Sequence, residues 1–325
     1  MTPRLAATLV HELTHALQHQ SFLGTELMLD PGDATSGALV AMRGLVEGDA
    51  NRIETAYVEG LSADEQAEIT EADEDGLEDL DEQEIPEALL ATFGMPYALG
   101  EGFVAAMEAE GRTAIDRAFN DPPTTEEHLL VPASYLDGDQ PHVVSASVPD
   151  DAEVLEEGDF GAASLMLVLG SRIDPHDALQ ASVGWGGDDY AVYEQDGRAC
   201  LDLTVSTDSE ADTLELAAAF TAWVAAGPEG AASTGVDGND LTLHACDPGD
   251  AEPAVPSERS PMDTLTLAAV RTLFVADFAS SGAPPEAAAC FGDAVIEAFT
   301  VEELTGEEAP PDMEARIQAA AAGCV

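Results

Sequence analysis

The chain has 325 residues, enough for two or three domains with cores of their own, and carries 65 acidic against 10 basic residues, for a formal net charge of −55. Every basic residue is an arginine. Phosphate backbones and anionic lipid surfaces need clustered Lys or Arg, so this balance excludes nucleic acid as a partner and disfavours an anionic membrane surface. Self-repulsion on this scale suits a salt-screened setting or cation binding, and its simplest reading is a solvated acidic surface.

Leu5, Leu9, Leu13 and Leu17, with Ala6 and Ala16 beside them, predict an amphipathic helix over residues 2–20. A loop with Asp30, Pro31, Gly32 and Asp33 follows, then a second helix over 36–57 with Leu39, Met42, Leu45, Val46, Ile53 and Ala56 on its buried stripe. The acidic run over 62–84 reads as a solvated helix or a loop. Another helix is expected over 96–119, broken near Gly111 and ended by Asp121, Pro122 and Pro123. From Gly138 the character changes. Residues 142–148 read as a strand, and 161–170 and 175–183 as helices, the latter with Pro175 at its first position behind Asp174. Residues 190–194 and 198–204 alternate on either side of an Asp196-Gly197 turn, a hairpin signal. Residues 214–224 are helical, 241–246 form a strand after the Gly238-Asn239 turn, 247–261 read as a linker, and 262–325 are Ala-rich and helical. The densest apolar run, LMLVLG at 165–170, falls far short of the ~18 residues a membrane span needs.

The expected architecture is α+β. It comprises a mainly helical metal-binding domain over 1–137, a small α+β domain over 138–252, and a linker with a helical C-terminal segment over 253–325. Cys200, Cys246, Cys290 and Cys324 lack the close spacing of a zinc ribbon or redox pair. Cys200 and Cys246 sit on or beside strands, where a bond between neighbours is plausible, and Cys290 and Cys324 could staple the last helices. Two structural disulfides fit an oxidising compartment. The opening MTPRLAATLV, however, has neither the apolar stretch nor the cleavage site of a signal peptide. Two expectations remain: free cysteines, or residues upstream of Met1 that this sequence does not include.

The chemistry-bearing motif is His11-Glu12-Leu13-Thr14-His15, an HExxH on the first helix. At about 100° per residue, His15 falls near 40° from His11 and Glu12 near 100°, while the four leucines fall between about 120° and 240°. That separation predicts two imidazoles on one face, a leucine stripe holding the other face to a core, and Glu12 at the edge of the metal face. A zinc site needs such an arrangement: neutral imidazole ligands, an open position for water, and a carboxylate beside it. A third ligand must come from elsewhere. His19 lies more than two turns beyond His11, too far to share an ion, and is a surface or supporting residue. Glu47 on the second helix could turn toward the two histidines, although it could equally be exposed and paired with Arg43 one turn earlier. Glu54 and Asp33 are weaker candidates, and Asp49 and Asn51 are expected to support the ligands. His142, His176 and His244 have no ligand spacing, and Trp185 reads as a core anchor.

HExxH followed by a Glu on the next long helix resembles the gluzincin class of zinc metallopeptidases. The longer wording, VHELTHALQHQ at 10–20 and GLVEGDA at 44–50, is similar to secreted or surface-anchored HExxH proteins of salt-adapted and high-GC prokaryotes, as are PPTTEEHLLVPASYL at 122–136 and GWGGDDYAVYE at 184–194. His19 and Ser21 depart from the Asp and His expected after HALQ. The resemblance implies zinc (Zn2+) on His11, His15 and Glu47, Glu12 as general base, and a peptide or protein substrate, with the oxyanion donor unassigned among His128, Tyr97 and Tyr135. It also implies a small substrate-binding sheet ahead of the helix, for which the ten residues before His11 leave no room. Either the groove is built elsewhere, or the catalytic domain is incomplete in this chain. The competing expectation is a non-catalytic secreted or envelope protein that keeps the zincin scaffold for binding.

Overall fold

The structure, a computed structural model, describes residues 1–22, 32, 34–81, 85–111, 113–149, 152–251, 259–306 and 309–324, with the backbone alone over 74–81. Thr2 caps the first helix, α1 (Pro3–Ser21), by accepting the amide of Leu5, and Pro3 fits the first turn, where its missing N–H costs nothing. Thr35 does the same for α2 (Ser36–Glu59), receiving the amide of Ala38. The Asp159 carboxylate reaches from far along the chain to take the amides of Ser36 and Gly37, at 2.9 and 2.6 Å. A side chain at Gly37 would collide with that carboxylate, so glycine is what lets it close on the helix end.

The acidic run folds as α3 (Ala63–Asp81). Helix α4 (Glu87–Ala109) begins earlier than the sequence suggests and carries Pro96 in its interior. One lost helical hydrogen bond is outweighed there by burial of Ala91, Met95, Leu99 and Phe103. By length and composition α4 could cross a membrane; here one face of it, including Met95, Leu99 and Phe103, is buried in the core. Then come α5 (Thr113–Asn120), α6 (Glu127–Leu130) and α7 (Pro132–Asp137).

A five-stranded antiparallel sheet follows, interleaved with helices: β1 (Glu153–Gly158), α8 (Ala162–Gly170), α9 (Pro175–Val183), β2 (Trp185–Gln195), β3 (Arg198–Thr207), α10 (Glu210–Ala226), β4 (Ala232–Asp237) and β5 (Asp240–Cys246). The strand order is β1-β2-β3-β5-β4. Asp196 and Gly197 turn β2 into β3 with φ of 53° and 75°, as the hairpin signal predicts. The chain ends in α11 (Pro261–Ser280), α12 (Pro285–Ala298), α13 (Val301–Thr305) and α14 (Met313–Gly323). The fold is α+β and mainly helical.

Residues 142–148 are not a strand. Val143 is 99% exposed, and the segment runs along β2 through the His142 amide on the Gly186 carbonyl and the Ala146 amide on the Asp189 carboxylate, without a ladder. Strands β1 and β4 escape sequence reading because EVLEEG and ASTGVD form the exposed edges and carry little apolar alternation. Buried residues on both sides of 137/138 and 252/253 belong to a common cluster. One buried cluster runs from Ala41 on α2 through Leu99, Leu129, Leu165 and Phe220 to Leu267 on α11 and Ile296 on α12. Part of the expected linker, 252–258, lies outside the described residues.

Helices α2 and α4 cross at glycines. A Cβ at Gly48 would strike the Gly100 carbonyl, and one at Gly100 would strike the Gly44 carbonyl. The GLVEGDA stretch therefore owes Gly48 to backbone contact with α4 and Gly44 to the Leu129 side chain packed against it, and Glu47 rides on the helix so fixed.

Buried carboxyls stitch the centre. Glu126 accepts the amide and hydroxyl of Ser164 at the start of α8, and Asp188 accepts the amides of Phe160 and Gly161 and the Trp185 indole. Burial pushes Glu126 up to about 7 and Asp188 to about 6. Burial and the nearby charges of Asp208 and Asp139 push Glu127 to about 8, and burial with Asp139 beside it takes Asp208 to about 6. The folded chain thus holds protons that the unfolded chain has released. That contribution is complete below the unfolded carboxyl range and is lost as pH rises through 6 to 8. Thermal unfolding at fixed salt should show a lower Tm at pH 8 than at pH 5, and Glu127→Gln should flatten the slope; a Tm rising over that interval would refute the assignment.

Candidate metal centre

The two imidazoles share one face of α1, as the spacing dictates, but that face is the interior. Leu5, Leu9, Leu13 and Leu17 are 56, 43, 54 and 62% exposed, whereas Ala7, Thr14 and Gln18 are buried. On a wheel of about 100° per residue those three lie within about 60° of His11. The faces separate as expected and their assignment is inverted. Small and polar residues make the contact with α2, and an apolar stripe looks outward.

Glu47 is 7% exposed and turns inward from α2. Its Oε2 lies 3.3 Å from Nε2 of His11 and 3.3 Å from Nε2 of His15, and the two Nε2 atoms are 3.0 Å apart. A tetrahedral ion with bonds of about 2.0 Å requires ligand atoms roughly 3.3 Å apart, which these edges match. The donor set fits zinc in kind as well as in spacing: two imidazoles and a carboxylate. Three lone-pair-bearing atoms this close repel one another unless a proton or cation sits among them. The remaining oxygen of Glu47 is 3.8 Å from Arg43 Nε, so the Arg43 pairing exists alongside the inward one. Burial alone would raise the Glu47 carboxyl, but the bonds from His15, Tyr97 and His11 bring it below its usual range; His15 is raised, mainly by Glu47.

Gln18 was not singled out by the sequence, yet it fixes His15. Its amide nitrogen donates to the Val46 carbonyl and Asp49 Oδ2, each at 3.0 Å, which leaves its oxygen to accept from His15 Nδ1 at 3.0 Å. This network assigns the proton to Nδ1 and the lone pair to Nε2. Asp49, 7% exposed, is held in turn by Arg52, at 2.7 Å. Asp49 therefore supports the site, through Gln18. The one signal for Gln18 is its position seven residues, two helical turns, after His11, on the same face.

His11 Nδ1 is buried without a hydrogen-bond partner; Glu54 Oε2 lies 3.1 Å from it but out of line for a hydrogen bond, and Glu54 Oε1 is paired with Arg4 at 2.7 Å. Glu54 flanks His11 rather than joining the three converging atoms. Asn51 does not approach the site and donates to Glu101 at 3.0 Å. His19 is exposed, outside the cluster, and Asp33 lies outside the described residues. Glu12 is exposed at the edge of the metal face, near enough for its charge to act on His15. Tyr97 adjoins Glu47 and Arg43. His128 and Tyr135 have structural roles: the His128 ring accepts the Thr124 amide, and the Tyr135 hydroxyl donates to the Asp121 carbonyl. Trp185 is a buried anchor.

The cysteines pair as Cys200–Cys246, across β3 and β5, and Cys290–Cys324, which ties α12 to the last helix over a small cluster of Phe291, Val295 and Phe299.

Among known families, a profile described as Domain of unknown function (DUF8575) matches residues 151–276, a stretch that begins just before β1 and ends within α11, without His11, His15 or Glu47. No curated protein and no solved structure matches significantly.

Proposed function

We propose that this protein is a zinc-dependent peptide hydrolase, secreted or held at the cell surface, with His11, His15 and Glu47 as metal ligands and Glu12 as general base. The observation that carries this reading is the triangle of 3.0, 3.3 and 3.3 Å formed by two imidazole nitrogens and one carboxylate oxygen on packed helices. Zinc, when bound there, supplies Lewis acidity toward a water and a peptide carbonyl. Glu12, one residue from a ligand and open to solvent, takes the proton of the attacking water and passes it to the leaving amine. Gln18 and Asp49 hold His15 in the tautomer whose Nε2 can bind metal. Two disulfides and the acidic composition support a location outside the cytoplasm.

Gln18→Leu is expected to weaken zinc binding about 10- to 100-fold with the helical circular dichroism retained, as read by competition with a chromogenic chelator. Unchanged affinity would remove Gln18 from the site. The reading as a whole is tested with an unstructured protein substrate at high salt. Cleavage should stop after chelation and return with zinc, and cleavage that persists in chelator would overturn it. The exposed leucines of α1 favour a second reading, a zinc-holding binding protein whose partner covers that stripe; zinc without Glu12-dependent cleavage would select it.

A further inference from the structure

At the end of the sheet farthest in sequence from the HExxH helix, the register places four potential ligands on one face. Cys200 pairs with Cys246 and Asp202 with His244, and residues two apart on a strand point the same way. His244 Nε2 lies 3.4 Å from Cys246 Sγ, and Nδ1 lies 2.9 Å from Asp202 Oδ1. The other oxygen of Asp202 accepts the Tyr193 hydroxyl at 2.6 Å. The carboxylate thus fixes the proton on Nδ1 and leaves the Nε2 lone pair facing sulfur, the arrangement in which a carboxylate orients a metal-binding histidine.

We propose that this corner is a redox-gated site for a soft divalent cation such as zinc: closed while the Cys200–Cys246 disulfide is intact, and open, with Cys200, Cys246 and His244 as ligands, once that bond is reduced. The ligand atoms of these three residues lie within 4.8 Å of one another. Two thiolates and an imidazole suit zinc, with a fourth position left for water. Cys246 is partly exposed and Cys200 buried, so an external reductant meets the Cys246 sulfur first. A dithiol supplies the two electrons. One of its thiolates attacks Cys246 Sγ, the bond to Cys200 breaks, and Cys200 leaves as thiolate. The second reductant sulfur then closes on the mixed disulfide, releasing Cys246 and an oxidised, cyclic dithiol. Metal binding expels the protons that the two thiols still hold. The Cys200–Cys246 bond is thereby exchanged for metal coordination between the same strands.

The test uses the full chain, reduced with dithiothreitol, freed of reductant under argon, and titrated with Co2+. A near-ultraviolet thiolate-to-cobalt band reports this site, since the HExxH cluster has no sulfur. The band should appear in reduced protein and saturate by two equivalents, since the HExxH cluster takes up cobalt as well, and be absent in oxidised protein. It should vanish in Cys246→Ser, survive in Cys290→Ser, and need more than about tenfold more cobalt in His244→Ala. Absence of the band in reduced protein overturns the proposal, whether or not the sheet circular dichroism survives reduction. So does a band indifferent to Cys246→Ser or His244→Ala.

Discussion

Glu12→Gln is expected to lower peptide turnover by about 10²- to 10⁴-fold, the range a positioned general base contributes, while the protein still carries a full equivalent of zinc. The substitution keeps side-chain volume and removes only the ability to take a proton. Glu12 is exposed on α1 and, among the described residues, makes no hydrogen bond or ion pair with the packed interior, so its neutralisation leaves the helix packing in place. His15 is held from the other side by Gln18, and the Glu54 carboxylate lies beside His11 Nδ1. Loss of rate with retained metal and unchanged Tm would separate a catalytic carboxylate from a structural one. Equal rates in the two proteins would mean that the water is activated otherwise or that the helix does no chemistry.

Gly100→Ala is expected to destabilise the fold by roughly 3 kcal/mol, the upper part of the range for overpacking, and to weaken metal binding with it. The new methyl would meet the Gly44 backbone carbonyl, not a flexible side chain, so α2 and α4 must separate. Glu47 lies between Gly44 and Gly48 on α2, and any outward shift of that helix draws its carboxylate from the two imidazoles. Gly111→Ala provides the contrast: a Cβ there meets nothing nearby, and its cost comes only from a φ of 104°. Denaturant melts of the two variants distinguish interhelical clash from backbone strain; an unchanged midpoint for Gly100→Ala would show that the crossing is looser than described.

The elements with strong periodicity or turn chemistry were legible from sequence: both N-terminal helices, the Asp196-Gly197 hairpin, and the pairing of Cys200 with Cys246. The wheel also separated the histidines from the leucines on α1. It could not say which side faces the protein, because hydrophobic periodicity presumes that the apolar face is buried, and here Ala7, Thr14 and Gln18 make the contact instead. Gln18 and Glu54 escaped as supporting residues for a related reason. Their roles rest on hydrogen bonding and charge across two helices, which no single-helix pattern encodes. Asn51, adjacent in sequence to the motif, faces Glu101, since one step along a helix turns a side chain by about 100°. Edge strands β1 and β4 carry little apolar signal.

The central claim is that two imidazoles on α1 and one carboxylate on α2 hold a single zinc ion. The measurement that tests it most directly is metal content by mass spectrometry after zinc loading and gel filtration, with disulfides intact, for the wild type beside His15→Ala and Glu47→Ala. One zinc per chain is expected in the wild type and less than a tenth of that in each variant, all three proteins retaining their helical circular dichroism. Zinc absent from the folded wild type, or retained in full by both variants, would contradict it.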